Sequence, residues 1–230
     1  MNYGQNHSVE DNGEVWVMQY IERKVKNNDF QNVVIFDVGA NKGQYLEQLY
    51  VHIAQAQIYC FEPSPYAFSI LNNKAQNMNN VSCFQLGVGH KETSGILKSE
   101  VKGSVMASFL PQAGNHTMEV TAQITTIDIF CKKTDIQDVY FLKLDIEGYE
   151  LNALTGALEM IKNKKIKYIQ FEFGKNNIQN GVYLKHFFDI LSNYQIHRVL
   201  KDGLWKMSKY DLRHEIILTT NYLAELKYQT

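Results

Sequence analysis

Short apolar runs alternate with stretches of helical period along the first half of the chain. VVIFD (33–37), IYCFE (58–62) and VSCFQL (81–86) are such runs, separated by KGQYLEQLYVHI (42–53) and SPYAFSILNNKAQN (64–77). Strands that are apolar on both faces belong in a parallel sheet covered by helices on both sides. Ahead of them, EVWVMQYIERKVK (14–26) places Val15, Met18, Ile21 and Val25 at spacings of three and four, which predicts an amphipathic helix. Ser64 is suited to cap the helix that follows the second strand, with Pro65 at its first position.

The rhythm pauses between Gly87 and about Gln123. Gly95, Gly103 and Gly114 are turn candidates there, and in MEVTAQIT (118–125) apolar and polar residues alternate, the mark of a half-exposed strand. Residues 87–125 therefore read as a β-hairpin insertion on one edge of the sheet. The α/β alternation resumes with VYFLKLD (139–145), a helix over 149–163, IKYIQFEF (166–173) and a helix over 181–193. QIHRVL (195–200) and HEIILTT (214–220) read as a terminal antiparallel pair. With no repeat, low-complexity tract or linker, the expectation is one domain over 1–230. It comprises an N-terminal arm and helix (1–30), the insertion, and a C-terminal substrate-side region (174–230).

Composition adds exclusions. Of the 230 residues, 45% are apolar and 20% charged, as in an ordinary globule. A net charge of −1 gives no overall attraction for nucleic acid or anionic membranes. Cys60, Cys83 and Cys131 form no C-x-x-C, so neither a zinc ribbon nor a disulfide framework is indicated. The polar start lacks a signal-peptide pattern and no run is long enough to span a bilayer, so a cytoplasmic protein is expected.

Candidate chemistry begins at IFDVGANKGQYLEQL (35–49), where Asp37 ends a strand and Gly39 and Gly43 follow. Open parallel sheets bind ligands at the carboxyl ends of their strands. Gly39 can take a positive φ and let the backbone approach a ligand. The full G-x-G-x-x-G pattern is absent, because Asn41 stands at its middle position. An acid at the turn repels a pyrophosphate and attracts a cation. S-adenosylmethionine suits such a turn: adenosine, sulfonium and amino acid, without phosphate. Glu62, closing the second strand, can accept both ribose hydroxyls, a feature shared with nicotinamide enzymes. Three alternatives stay open: helix capping alone, a nicotinamide-dependent oxidoreductase, and a non-catalytic binding protein.

FDVGANKG (36–43), FEPSPYAFSIL (61–71), LGVG (86–89) and above all LKLDIEGYELNALTGA (142–157) resemble the FkbM-type S-adenosylmethionine-dependent methyltransferases. The resemblance implies a Rossmann-like, doubly wound, mostly parallel seven-stranded sheet with an antiparallel last strand. It also implies O-methylation of hydroxyls on sugars, glycans or polyketide products, hence a small-molecule or glycan acceptor. By position, Asp37, Gly39, Ala40, Asn41 and Gly43 would contact the methionine part of the cofactor. Glu62, with Pro63 beside it, would hold the ribose. Leu86, Gly87 and Val88 would pass beneath the adenine, and Asp145 would face the methyl group.

Methyl transfer to a hydroxyl needs alignment, exclusion of water and a proton acceptor. Lys143 and Asp145 lie on one side of their strand. Asp145, at the strand tip, could accept the hydroxyl proton or ligate a cation. Glu147 and Glu150 open the next helix, where carboxylates are also favoured by capping and the helix dipole. Glu172 is a second candidate acid, or a partner for Lys143. His90 and His116, in or near the insertion, are candidate bases; the candidate catalytic set is Asp145, Glu172 and His116. Asp145 and Glu147 with one more acid could hold a divalent cation through oxygens, but no motif requires a metal. Phe109, Tyr183 and Trp205 are candidates to line a sugar site. Oligomeric state is not encoded in any pattern found.

Overall fold

The computed structural model describes residues 12–27, 32–99, 109 and 118–227. In chain order the elements are α1 (Glu14–Asn27), β1 (Val34–Val38), α2 (Gln44–His52), β2 (Gln57–Phe61), α3 (Pro65–Ala75) and β3 (Val81–Phe84). There follow β4 (Gly87–Val88), β5 (Thr93–Ser99), β6 (Met118–Thr125), α4 (Ile127–Thr134), β7 (Val139–Leu144), α5 (Glu150–Thr155), α6 (Leu158–Lys162) and β8 (Ile166–Phe173). The last are α7 (Lys175–Gln179), α8 (Leu184–Ile190), β9 (Tyr194–Leu200), β10 (Gly203–Met207) and β11 (Thr220–Leu226).

Eight strands form one sheet in the order β10-β9-β11-β8-β7-β1-β2-β3. The pairs from β3 to β8 are parallel, and β11 runs antiparallel to both neighbours, β8 and β9. Side chains of α1, α2 and α3 (Met18, Ile21, Leu46, Leu49, Leu71) bury one face against Ile35, Ile58 and Phe141. Those of α4, α5, α6 and α8 (Phe130, Leu154, Ile161, Phe187) bury the other against Phe36, Leu142 and Phe171. The runs of the central strands are largely apolar for that reason: residues on either face meet a helix. β4, β6 and β5 form a separate small sheet, with β5 and β6 pairing as the expected hairpin.

The large sheet has one strand more than expected, because β10 turns back on β9 as a hairpin. The final strand begins at Thr220, not at His214. Arg198 Nη2 donates to the His214 carbonyl at 3.0 Å, and Glu215 accepts from Leu184 N and Lys185 N at the start of α8. These bonds occupy the segment that reads as a strand by composition and leave Ile217 and Leu218 exposed. The expected helix over 149–163 is two helices. Gly156 breaks it by sitting against the Gly89 carbonyl, where a side chain has no room, and its own carbonyl accepts from Asp128 N at 3.0 Å. The helix expected over 181–193 is the shorter α8, and α4 and α7 are two further helices. α4 is too short for a periodic signal, but Thr126 caps it by accepting from Ile129 N. Gly103, Gly114 and His116 lie outside the described residues.

Candidate active site

The chain reverses after β1 through three left-handed residues, Gly39 (φ 80°), Asn41 (φ 49°) and Gly43 (φ 79°). Gly39 N and Ala40 N donate to the Phe61 carbonyl at 3.0 and 3.1 Å, pinning the turn to the end of β2. Glu62, itself buried, accepts from Asn41 N at 2.9 Å and from Ser64 N at 2.8 Å, so one carboxylate ties the turn to the start of α3. Pro63, Gly87 and Val88 are buried and Leu86 is half-buried. The face of Gly39 that lacks a side chain abuts the Asp145 carbonyl and Ile146. The glycine therefore joins the first turn to the tip of β7. At Gly43 a Cβ would press on Leu71 of α3.

Parallel pairing of β1 and β7 sets Lys143 directly opposite Asp37. Lys143 Nζ lies 3.3 Å from Asp37 Oδ1 and 3.4 Å from Asp145 Oδ2, and 4.6 Å from the centre of the Tyr45 ring. Lys143 and Asp37 are buried, whereas the Asp145 side chain is 35% exposed. Burial alone would lower the Lys143 pKa, but the carboxylates of Asp37, Asp145 and Glu14 outweigh it and hold the ammonium charged. Glu172 is not its ion-pair partner; it stands on β8 opposite Asn221 of β11.

Glu14 is the surprise of the site. α1 buries it, and it accepts from Asn12 Nδ2 at 2.9 Å and from Gln170 Nε2 at 3.3 Å. Gln170 in turn accepts from Tyr45 Oη and donates to Asn221 Oδ1. In the sequence an acid at a helix start is explained by the dipole, so nothing there distinguished Glu14.

Beyond Asp145 the chain turns through Glu147 (φ 56°) and Gly148 (φ 98°). Fully buried Glu150 holds that turn by accepting from Ile146 N, Gly148 N and Asn177 Nδ2. Glu147 accepts from Asn176 Nδ2 at 2.8 Å. A non-glycine residue in the left-handed region is uncommon, and here it turns a carboxylate toward α7. Burial is the main cause that pushes Glu62, Glu150 and Glu14 up to about 7 and Glu147 to about 8. It also raises Glu172, next to the charges of Asp145 and Glu147.

A raised folded-state pKa carries a sign. Glu14, ordinarily near 4.5, titrates at about 7 in the fold. Its contribution to stability is complete below the unfolded value and is lost as pH rises through the folded one. Glu14→Gln mimics the protonated form. Its stability relative to wild type should therefore rise by about 2–3 kcal/mol between pH 5 and 8. Denaturant unfolding at several pH values checks this; parallel curves would refute it.

The other candidates scatter. His90 is exposed, with Nδ1 3.2 Å from Asn152 Nδ2. Phe109 packs on Tyr149, whereas Tyr183 and Trp205 are exposed on the α8 and β10 side. Among the described residues no three His, Cys, Asp or Glu side chains are grouped to share a metal ion, and no helix is long and apolar enough to cross a membrane.

A model of the methyltransferase FkbM domain matches residues 37–197. The 2-O-methyltransferase NoeI of Sinorhizobium fredii is 19% identical over 180 residues, covering 71% of this chain and 72% of NoeI. The hexuronic acid methyltransferase AglP of Haloferax volcanii is 23% identical over 184 residues, covering 75% of this chain and 72% of AglP. The fold is similar to that of the plantazolicin methyltransferase BpumL, solved in complex with SAH. The TM-score is 0.53 at 10% identity, over 97% of this chain and 88% of that one. The match spans the glycine turn, the Glu62 strand end and the whole Lys143–Glu150 block: the chain belongs to the methyltransferase FkbM domain family and is an S-adenosylmethionine-dependent methyltransferase.

Proposed function

We propose that the protein transfers a methyl group to a hydroxyl oxygen of a sugar, carried on a glycan or a natural product. The observation that carries this reading is the Asp145 carboxylate, partly exposed at the tip of β7 and in backbone contact with the glycine turn. An aliphatic hydroxyl holds its proton about as tightly as water, pKa ~15.7, so transfer needs a base at the acceptor. In this reading Asp145 takes that proton, and Glu172 is the second acid at the same sheet edge. The names of NoeI and AglP, a 2-O-methyltransferase and a hexuronic acid methyltransferase, support a sugar acceptor.

The residues fit the cofactor. Among the described residues Asn41 Oδ1 is buried without a hydrogen-bond partner, an acceptor suited to an ammonium. Gly39, Ala40, Asn41 and Gly43 would hold the methionine part, Glu62 and Pro63 the ribose, and Leu86, Gly87 and Val88 the adenine, while Asp37, fully buried against Lys143, would support the turn from behind. S-adenosylmethionine supplies an electrophilic methyl group on a good leaving group.

Glu62→Ala tests the ribose assignment. Hydrogen bonds to a charged group are worth about 1.5–3 kcal/mol each, so affinity for S-adenosylhomocysteine should fall at least about tenfold. A change below about twofold would leave Glu62 only as the tie between the turn and α3. The acceptor is tested with isotopically labelled cofactor and nitrophenyl glycosides of neutral, amino and uronic sugars. Label on a ring hydroxyl oxygen, located by NMR, is expected. Label confined to the uronate carboxyl group or to nitrogen would overturn the reading.

A further inference from the structure

Among the described residues, Lys143 is the one charged group that contacts both Asp37 of β1 and Asp145 at the tip of β7. Its ammonium lies 3.3 Å from Asp37 Oδ1 and 3.4 Å from Asp145 Oδ2. Only 3% of its side chain is exposed. Two features fix it from below: the Tyr45 ring at 4.6 Å from Nζ, and strand register that sets Lys143 opposite Asp37. Tyr45 is itself held by its hydrogen bond to Gln170. The ammonium is thus held within the core, while the Asp145 side chain is partly exposed.

A buried ion pair is weak evidence of stabilisation by itself, because desolvation offsets the attraction. Asp37 already supplies the lysine with a carboxylate inside the core. The second contact reaches out of the core to the residue assigned above as proton acceptor. We propose that Lys143 is a positioning residue for methyl transfer, anchoring one oxygen of Asp145 so that the other faces the acceptor hydroxyl. The inference rests on the role of Asp145 proposed above. In the competing role Lys143 only balances the buried charge of Asp37, and Asp145 orients itself.

A double-mutant cycle separates the two, because residues acting as a unit are not additive. Turnover is measured for wild type, Lys143→Met, Asp145→Asn and the double variant, with folding followed by circular dichroism and S-adenosylhomocysteine affinity by calorimetry. If Lys143 acts through Asp145, Lys143→Met should lower kcat by about 10²-fold or more, with cofactor affinity and acceptor KM changed only a few-fold. In the Asp145→Asn background the same change should cost less than about threefold. Full multiplication of the two losses, or wild-type turnover in Lys143→Met, would overturn the inference. Wild-type turnover in Asp145→Asn would overturn the assignment of Asp145, and this inference with it. Should Lys143→Met fail to fold, Lys143→Arg keeps the charge and displaces its position. That variant should bind S-adenosylhomocysteine yet lose kcat only where Asp145 is present. Undiminished turnover in Lys143→Arg would refute positioning.

Discussion

Asp145→Asn should lower turnover by about 10²–10⁴, the usual contribution of a positioned general base, while S-adenosylhomocysteine affinity changes only a few-fold. The asparagine keeps the shape of the aspartate and one carbonyl oxygen for Lys143. The backbone links of this residue, its N–H to the Val38 carbonyl at 3.1 Å and its carbonyl against Gly39, are untouched. What is lost is the capacity to accept a proton from the acceptor. Wild-type turnover would make Asp145 structural and move the search for the base to Glu172. An EDTA arm on the wild type distinguishes the routes: loss of activity restored by magnesium would make Asp145 a metal ligand, and no effect supports direct proton transfer.

Gly39→Ala is expected to weaken both stability and cofactor binding. At φ 80° an alanine is strained, by about 1–2 kcal/mol. Its methyl would also press on a backbone carbonyl, that of Asp145, which has no flexible end to swing aside. Overpacking of this kind costs about 1–3 kcal/mol more. For a domain of this size the two together lower the unfolding midpoint by roughly 5–15 °C. Since relief requires the turn and the β7 tip to separate, S-adenosylhomocysteine affinity should drop at least about tenfold. Unchanged midpoint and affinity would mean that the turn and the strand tip are independent.

Much of the fold was legible because the central parallel strands are buried on both faces, which leaves a largely apolar signature, interrupted by Asp37 and by Lys143, at Val34–Val38 and Val139–Leu144. The glycine turn and the Asp145 strand end were legible for a related reason: a positive φ and an acid at a strand tip are local features. What failed depends on distant partners. Ile216–Leu218 reads as strand, yet the segment is held by Arg198 and by the start of α8. The role of Gly39 was half legible. Its need for a positive φ shows in the sequence, but its neighbour Asp145 lies on a strand far along the chain. Glu14 was illegible because only tertiary packing carries α1 to the edge where Gln170 and Lys143 lie. Membership of the methyltransferase family displaces the nicotinamide-dependent oxidoreductase that the turn alone left open.

A crystal structure with S-adenosylhomocysteine bound tests the central claim most directly. The account predicts ribose hydroxyls on the Glu62 carboxylate, the amino acid part over the Gly39–Gly43 turn and the sulfur on the Asp145 side of the cleft. A ligand whose ribose lies away from Glu62, or whose sulfur is turned away from Asp145, would contradict it.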